Sequence, residues 1–330
     1  MKKQIWQETP LSVKMLLAMS FIMNIGFYAL IPYLTLYMTG SIGWTLAMAG
    51  LVLSVRQFSQ QGFSFLGGLI SDKFGYKGTM VLGLVVRATG FSAFAFCTEA
   101  WHFFLAAILS GLGGSLFEPS VSAAYAILTP EPIRREVFAF RNVLGNVGVV
   151  GSQIIGFALS SINFFWLSLF AGGLYYVIAM IAFFHIPPAD IRNTRQTLGE
   201  SFLYILKDKP FMLYTFILVG YYYLYMQTFL TIPQFVEDTL GSKAAVGIVL
   251  STVSLATIVL QMKIIRWLEN FSQRLTLIGL GALVMGLALF LFAFANSLWA
   301  IMIDAVIFAL GTMISMPYLI EMVPRFAPKD

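Results

Sequence analysis

Long apolar stretches separated by short polar turns run through the whole chain of 330 residues. Each stretch has about 20 residues or more, the length that a helix needs to cross roughly 30 Å of hydrocarbon. This pattern predicts an all-α polytopic membrane protein with about ten transmembrane helices. The predicted spans are residues 12–38, 48–70, 77–96, 101–128, 138–159, 164–184, 211–232, 245–268, 275–295 and 298–322.

Composition agrees with a membrane location, and the basic residues indicate an orientation. Charged residues make up only 11% of the chain, against about 25% in soluble domains. Only Lys243 lies in a predicted outer loop. The opposite loops and span ends hold Lys2, Lys3, Lys14, Lys73, Lys77, Arg134, Arg135, Arg141, Arg192, Arg195, Lys207, Lys209, Lys263, Arg266, Arg274, Arg325 and Lys329. By the positive-inside rule, we expect both termini in the cytoplasm and the chain in a bacterial-type inner membrane.

The longest hydrophilic stretch divides the chain after the sixth span. It opens with Pro187 and Pro188, which end the preceding helix, and its later part has the pattern of a short interfacial helix. We therefore predict a six-helix bundle over residues 1–186, a cytoplasmic linker over 187–210 and a four-helix bundle over 211–330.

The residue types that carry enzyme chemistry are scarce. Cys97 is the only cysteine, so an intramolecular disulfide is excluded, and no Cys/His cluster suggests a metal site. The chain has neither a phosphate-binding loop nor a nucleophile elbow. We therefore expect no enzyme activity, no cofactor and no metal. The net charge of +5 follows from the positive-inside bias and requires no nucleic-acid partner.

Ionisable residues inside spans are functional candidates, because a charge at mid-bilayer costs at least about 2.5–3.5 kcal/mol. Glu118 and Arg87 each lie about ten residues from the inner end of their spans, so both are predicted roughly 15 Å deep. Glu118 is therefore either a proton-coupling site, half of a static ion pair with Arg87, or a snorkelling side chain. Asp304, about 9 Å from the outer interface, is a second candidate for proton coupling or simply a solvated acid.

A polar stripe follows Arg56 in the second span. Arg56 and Gln60 fall on one line of the helix, and Gln57 and Gln61 fall on the next. A stripe at this depth must face protein or water rather than lipid. It either lines a substrate cavity, which we favour, or makes hydrogen bonds between helices.

The turn after the second span has a specific motif, Gly68-x-Ile70-Ser71-Asp72-Lys73-x-Gly75-Tyr76-Lys77. It resembles the signature loop of the major facilitator superfamily. In the motif, Gly68 would permit close helix approach and Gly75 a tight turn. The resemblance implies a gating loop formed by Gly68, Asp72, Lys73, Gly75 and Lys77. Tyr76 departs from the motif, because the family has a basic residue there.

Further fragments are similar to the MdtH-type multidrug-resistance transporters of the same superfamily. They are 56–62, 87–91, 110–119 and 220–222. The resemblance implies proton-driven export of small molecules by alternating access, with the substrate bound between the two halves. Polar and aromatic candidates for the substrate cavity are Asn24, Tyr28, Arg56, Gln57, Gln60, Arg87, Gln153, Tyr222 and Gln227.

Two questions stay open at this point. The rival functions are proton-coupled metabolite uptake by the same fold and a transport-inactive membrane receptor or scaffold. The superfamily has twelve helices, whereas about ten are counted here, so the last two are expected to be missing: the sequence is either a fragment or that of a protein that natively lacks them. The expected partners are a small-molecule substrate, protons and membrane lipid, and the protein is expected to be a monomer.

Overall fold

The computed structural model describes residues 3–188, 209–268, 271 and 273–326. Within these ranges the secondary structure is helical and contains no β-strand. The described residues form two compact units, one before and one after the stretch 189–208. Apart from residues 187–188 and 209–210, the predicted linker and its interfacial helix lie outside the described residues.

The amino-terminal unit contains eight α-helices within its described residues. Thr45 caps α3 by accepting a hydrogen bond from the Met48 amide, and Asn163 caps α8 in the same way from Phe165. A π-helical turn, Tyr37–Ser41, extends α2. The helices are α1 (Lys3–Glu8), α2 (Leu11–Leu36), α3 (Leu46–Gly62), α4 (Ser64–Phe74), α5 (Tyr76–Ala93), α6 (Ala100–Leu128), α7 (Arg134–Ile162) and α8 (Phe164–His185).

The carboxy-terminal unit contains five α-helices among the residues described there. A left-handed glycine, Gly241, ends the short second helix and leads into the third. The helices are α9 (Lys209–Met226), α10 (Thr231–Leu240), α11 (Lys243–Leu268), α12 (Arg274–Phe292) and α13 (Leu298–Phe326). The last two pack extensively against each other, and α11 packs against α13.

Eight helical segments in the described part of the chain are long and apolar enough to cross a membrane. They confirm the prediction of an all-α, multi-pass membrane protein. The other two predicted spans, 48–70 and 211–232, each fall on a pair of shorter helices. The first corresponds to α3 and α4, and the second corresponds to α9 with the start of α10.

Both interruptions have local causes. Between α3 and α4, Phe63 leaves the helical region with φ −99° and ψ 1°, directly after Gly62, a weak helix former. In the other pair, Pro233 is the third residue of α10. A proline has no amide hydrogen to donate, so it fits the first turn of a helix better than the middle.

Within the amino-terminal unit, α6 has the largest number of closely packed neighbours. It packs against α3, α4 and α5, while α5 also packs against α8, and α2 packs against α7 and α8. Large aromatic side chains, including Phe91, Phe117 and Tyr175, are fully buried between these helices. The centre of this unit is therefore a packed interior.

The closest approach in this interior joins α4 to α6 at Gly67. A Cβ atom placed on Gly67 would lie only 1.9 Å from the Ser115 carbonyl oxygen. Pro119 lies four residues after Ser115 within α6, so this carbonyl has no amide hydrogen to accept from its own helix. The proline therefore leaves a backbone oxygen to which only a glycine can come so close.

This contact corrects one part of the motif analysis. We assigned the close approach to Gly68, but a Cβ atom placed on Gly68 would have no neighbour within 4 Å, and Gly67 makes the contact instead. The tight turn falls where the motif places it, because Gly75 has φ +85° between α4 and α5. A side chain at this φ would be strained.

The two neighbouring glycines provide a matched test of this packing. We expect Gly67→Ala to lower the melting temperature sharply or to abolish folding, because the added methyl group collides with backbone that cannot rotate away. Gly68→Ala should be tolerated with a change in unfolding free energy within about 1 kcal/mol. Thermal melting of the purified variants in detergent measures both, and equal melting temperatures would contradict the assignment of the contact to Gly67.

Candidate functional site

Glycines of α6 allow two other helix backbones to come close to it at one level. A Cβ atom on Gly113 would lie 2.3 Å from the Arg87 amide nitrogen in α5. A Cβ atom on Gly111 would lie 2.4 Å from the Arg56 carbonyl oxygen in α3. These contacts place two arginines next to α6, one to two turns before Glu118.

Arg56 lies at the centre of a hydrogen-bonded chain of side chains. Its Nη1 donates to Gln60 Oε1 at 2.8 Å, and its Nη2 donates to Gln57 Oε1 at 2.6 Å. Gln60 Nε2 in turn donates to Glu118 Oε1 at 2.6 Å. The amide of Gln60 therefore links the arginine to the carboxylate, and the polar stripe makes hydrogen bonds both along α3 and across to α6.

Glu118 also forms an ion pair with Arg87, with 3.6 Å between Oε1 and Nη1. The Arg87 side chain is 2% exposed, whereas 41% of the Glu118 side chain is exposed. At its predicted depth in the span, the exposed carboxylate of Glu118 must face water or protein rather than lipid, because contact between a charge and hydrocarbon would be too costly. The equal depths inferred by counting residues are consistent with this pair.

Aromatic rings surround the Arg87 guanidinium. Its Cζ lies 5.1 Å from the ring centroids of Phe27 and Phe117, 5.3 Å from that of Phe91 and 5.4 Å from that of Tyr175. Arg56 Cζ is 5.2 Å from the same Phe27 ring. Cation–π attraction is worth up to about 2 kcal/mol for a desolvated pair. It offsets part of the cost of holding two guanidinium groups inside the membrane.

The charge compensation by hydrogen bonds is nevertheless incomplete. Arg56 Nε, Arg87 Nε and Arg87 Nη1 are buried without a hydrogen-bond partner among the described residues. Two guanidinium groups and one carboxylate give this group of residues a formal charge of +1. We call Arg56, Gln60, Arg87 and Glu118 the charged cluster.

The remaining predicted cavity residues of this unit lie on α2 and α7. Asn24 Nδ2 donates to the Ser20 carbonyl at 2.7 Å. Gln153 is only 1% exposed, and its Nε2 donates to the Tyr28 carbonyl at 3.4 Å. Its Oε1 is buried without a partner in the described part of the chain. Gln153 thus contributes to the contact between α7 and α2, while Asn24 and Tyr28 are partly exposed.

The predicted residues of the carboxy-terminal unit do not form one cluster. Tyr222, in α9, is 38% exposed. Gln227 lies after the end of α9, where its Nε2 donates to the Tyr223 carbonyl at 2.9 Å and its Oε1 accepts from Thr231. Asp304, in α13, is only 7% exposed, so it is more buried than a solvated acid would be.

The turn between α4 and α5 is held by a residue that the motif analysis treated as a departure. The Tyr76 hydroxyl donates to the Pro187 carbonyl at 2.9 Å, just after the end of α8, and the Tyr76 ring is buried. Lys77 Nζ lies 5.6 Å from the Phe183 ring centroid. Asp72 is exposed and forms no ion pair with any residue that the structure describes.

Glu237 is an acidic position that the sequence analysis missed. It lies in α10, a ten-residue amphipathic helix too short to span a membrane. Its Oε2 is buried without a hydrogen-bond partner among the residues described. Burial raises the pKa of this carboxyl, and the nearby Lys243 lowers it in part. The signal in the sequence was weak: Ile232 and Val236, four residues apart on one face of a helix, are the buried apolar positions beside it.

Apolar membrane-spanning helices around a buried charged cluster are typical of multi-pass membrane transport proteins. A family model settles the family within that class. The chain belongs to the Major Facilitator Superfamily, whose model matches residues 16–330. It is accordingly a secondary transporter of the inner membrane.

Two relatives agree with this assignment. The chain is 30% identical over 311 residues to multidrug resistance protein MdtH of Klebsiella pneumoniae, covering 94% of this chain and 77% of that protein. It is 31% identical over 314 residues to MdtH of Photorhabdus laumondii, covering 94% and 78%.

Two transporter structures have the same fold at low sequence identity. A crystal structure of a mutant nucleoside transporter NupG superposes with a TM-score of 0.80 at 12% identity, covering 96% of this chain and 84% of that one. A mutant peptide transporter POT in complex with sulfate gives 0.77 at 15% identity, covering 97% and 83%. At these identities the likeness concerns the fold alone.

The Tyr76 hydroxyl offers a test of the turn between α4 and α5. We expect Tyr76→Phe to lower the unfolding free energy by about 1 kcal/mol, because one hydrogen bond to the Pro187 carbonyl is lost. Tyr223→Phe is the control, since the Tyr223 side chain is 68% exposed and should matter little. Thermal melting in detergent compares them, and a Tyr76→Phe protein as stable as the parent would show that the bond contributes nothing.

Proposed function

We propose that this protein exports drug-like small molecules in exchange for protons, by alternating access. Three observations support the proposal: membership of a secondary-transporter superfamily, the multidrug resistance named in the relatives, and the charged cluster inside the membrane. Glu118 is the main structural support for this proposal. It is the acid in the amino-terminal unit that is both accessible and bonded to buried cationic and amide groups.

Coupling at Glu118 follows from its two partners. As a carboxylate it accepts the Gln60 hydrogen bond and attracts Arg87, so it favours the arrangement in which α3, α5 and α6 hold these groups together. A proton on Glu118 removes the charge and weakens both interactions. Proton binding then favours a different conformation, as exchange between two states requires. Asp304 is proposed as a second proton site, supported by its burial in α13.

Substrate recognition is proposed to use the charged cluster and its neighbours in the amino-terminal unit. Arg56, Gln57, Gln60 and Arg87 would supply polar contacts, and Asn24 and Tyr28 would supply amide and aromatic surface. Tyr222 and Gln227 are proposed separately as substrate contacts of the carboxy-terminal unit. A positively charged group of a drug would pair with Glu118 only while the carboxylate is ionised. Drug and proton would therefore compete, which is the basis of exchange. Gln153 would act by holding α2 against α7.

The loop containing Gly68, Asp72, Lys73, Gly75 and Lys77 is proposed as a gating element. Its support is the Gly75 turn and the Tyr76 hydrogen bond, which together tie the end of α4 to the end of α8. A movement of α4 against α6 would therefore be transmitted to α8. Exposed Lys73 and partly exposed Lys77 suit contact with anionic lipid headgroups.

The proposed orientation places this loop and both termini in the cytoplasm. Its support is the distribution of basic residues, of which Lys243 alone lies in a predicted outer loop. We propose that the transporter works as a monomer in contact with lipid, protons and its small-molecule substrate.

Labelling of single cysteines tests the orientation. In a Cys97→Ser background, Lys243→Cys should react with a membrane-impermeant maleimide in intact cells, whereas Lys77→Cys should react only after permeabilisation. The native Cys97 should itself react only slowly with a maleimide, because burial raises the pKa of its thiol to about 11 and the thiolate is the reactive form. The opposite labelling pattern would reverse the proposed topology.

Proton release on drug addition tests the function itself. In energised everted vesicles, the parent should release protons when candidate drugs are added, and Glu118→Gln should lose most of that signal, because a glutamine amide has no ionisable proton to exchange. Glu131→Gln is the matched control, since Glu131 is exposed in the turn after α6.

The alternatives predict other results. Full drug-coupled proton release from Glu118→Gln would refute the coupling role of this residue. A parent that moves neither drug nor proton would favour a receptor or scaffold, and proton uptake together with substrate would favour metabolite import.

A further inference from the structure

The charged cluster contains more positive than negative charge. Arg56 is 4% exposed and Arg87 is 2% exposed, and both guanidinium carbons lie within 5.2 Å of the Phe27 ring centroid. Glu118 is the one carboxylate paired with them in the part of the chain that the structure describes. The formal charge is therefore +1 with Glu118 ionised and +2 with Glu118 protonated.

The unused hydrogen-bonding capacity lies on the same two side chains. Arg56 Nε, Arg87 Nε and Arg87 Nη1 are buried and have no hydrogen-bond partner among the described residues. Arg87 Nη1 approaches Glu118 Oε1 only to 3.6 Å, which is longer than a hydrogen bond. Buried N–H groups of a cation are normally satisfied, so these three donors indicate capacity for a further acceptor.

We infer that the guanidinium pair of Arg56 and Arg87 is a binding site for a compact anion, a carboxylate or a halide, and that Glu118 is its tethered competitor. The inference deepens the proposed function, because it rests on the same cluster. Glu118 is the exposed member, with 41% of its side chain accessible, so an anion reaches the arginines where this carboxylate now lies. A planar carboxylate also matches the fork geometry of a guanidinium.

Protonation of Glu118 and binding of the anion must then favour each other. Neutral Glu118 no longer competes, and it leaves two cations without a counter-charge. By linkage, a bound anion raises the proton affinity of Glu118 by the same factor. The charge of a substrate therefore determines the sense of coupling: a cationic group exchanges with the proton, whereas an anionic group binds together with it.

The probe is a series of sodium salts at constant ionic strength. Purified full-length protein in detergent is titrated with chloride or formate, with gluconate making up the balance as a bulky anion, and the thermal melting temperature is followed at pH 8. Glutamine at position 118 has the neutral charge of the protonated carboxyl. Glu118→Gln should therefore bind chloride or formate about tenfold more tightly than the parent, a typical coupling factor.

Two further variants control for general effects of charge. Glu131→Gln removes a carboxylate at the exposed turn after α6 and should bind anions like the parent. Arg56→Gln combined with Glu118→Gln should abolish the gain, because one of the two guanidinium groups is gone. Stabilisation by formate alone assigns the site to a substrate carboxylate. Stabilisation by chloride as well assigns it to compact anions in general.

The inference is overturned if Glu118→Gln and the parent bind chloride and formate equally, or if neither anion stabilises either protein more than gluconate does. Failure here is distinguishable from failure of the proposed export. If drug-coupled proton release depends on Glu118 but no anion stabilises the protein, only the anion site is refuted. If anion binding depends on Glu118 but the protein releases no protons, only the export function is refuted.

Discussion

Direct backbone contact between α6 and its neighbours is the constraint on which the amino-terminal unit depends. The contact surfaces have glycines in place of larger residues, namely Gly111 and Gly113 on α6 and Gly67 on α4. This closeness places Gln60 of α3 and Arg87 of α5 in contact with Glu118. Helices separated by a full layer of side chains have axes about 8–10 Å apart. Pro119 adds to the effect, since it frees the carbonyl on which Gly67 packs.

The contact also determines the chemistry of the cluster. A charge inside a membrane must be compensated by the protein, and here the compensation comes from three kinds of group: a carboxylate, amide oxygens and aromatic faces. Gln60 is central, because an amide can accept from a guanidinium and donate to a carboxylate at the same time. It connects Glu118 to Arg56 by hydrogen bonds without adding a charge of its own.

Much of the fold and of the charged cluster could be predicted from the sequence. The parts that could not be predicted have physical explanations. Counting residues along a helix gives depth, which is why Glu118 and Arg87 were expected at one level and are found paired. Counting does not give the direction in which a residue faces a neighbouring helix. For that reason the motif alone could not distinguish Gly67 from Gly68 or place Tyr76 against Pro187. The two helix breaks, at Phe63 and at residues 227–230, were not predicted because hydropathy does not register a change in backbone angles.

The fixed positive charge of the two arginines has an electrical consequence. An elementary charge that crosses the membrane potential gains or loses about 2.3 kcal/mol per 100 mV. In the proposed exchange, aqueous access to the cluster would pass from one side of the membrane to the other, so the cluster would change its position in the electric field even if no atom of it moved far. The cluster carries +2 with Glu118 protonated and +1 with Glu118 ionised. For an uncharged drug the two halves of the proposed cycle would therefore respond to voltage by unequal amounts, and the membrane potential would drive turnover together with the pH gradient.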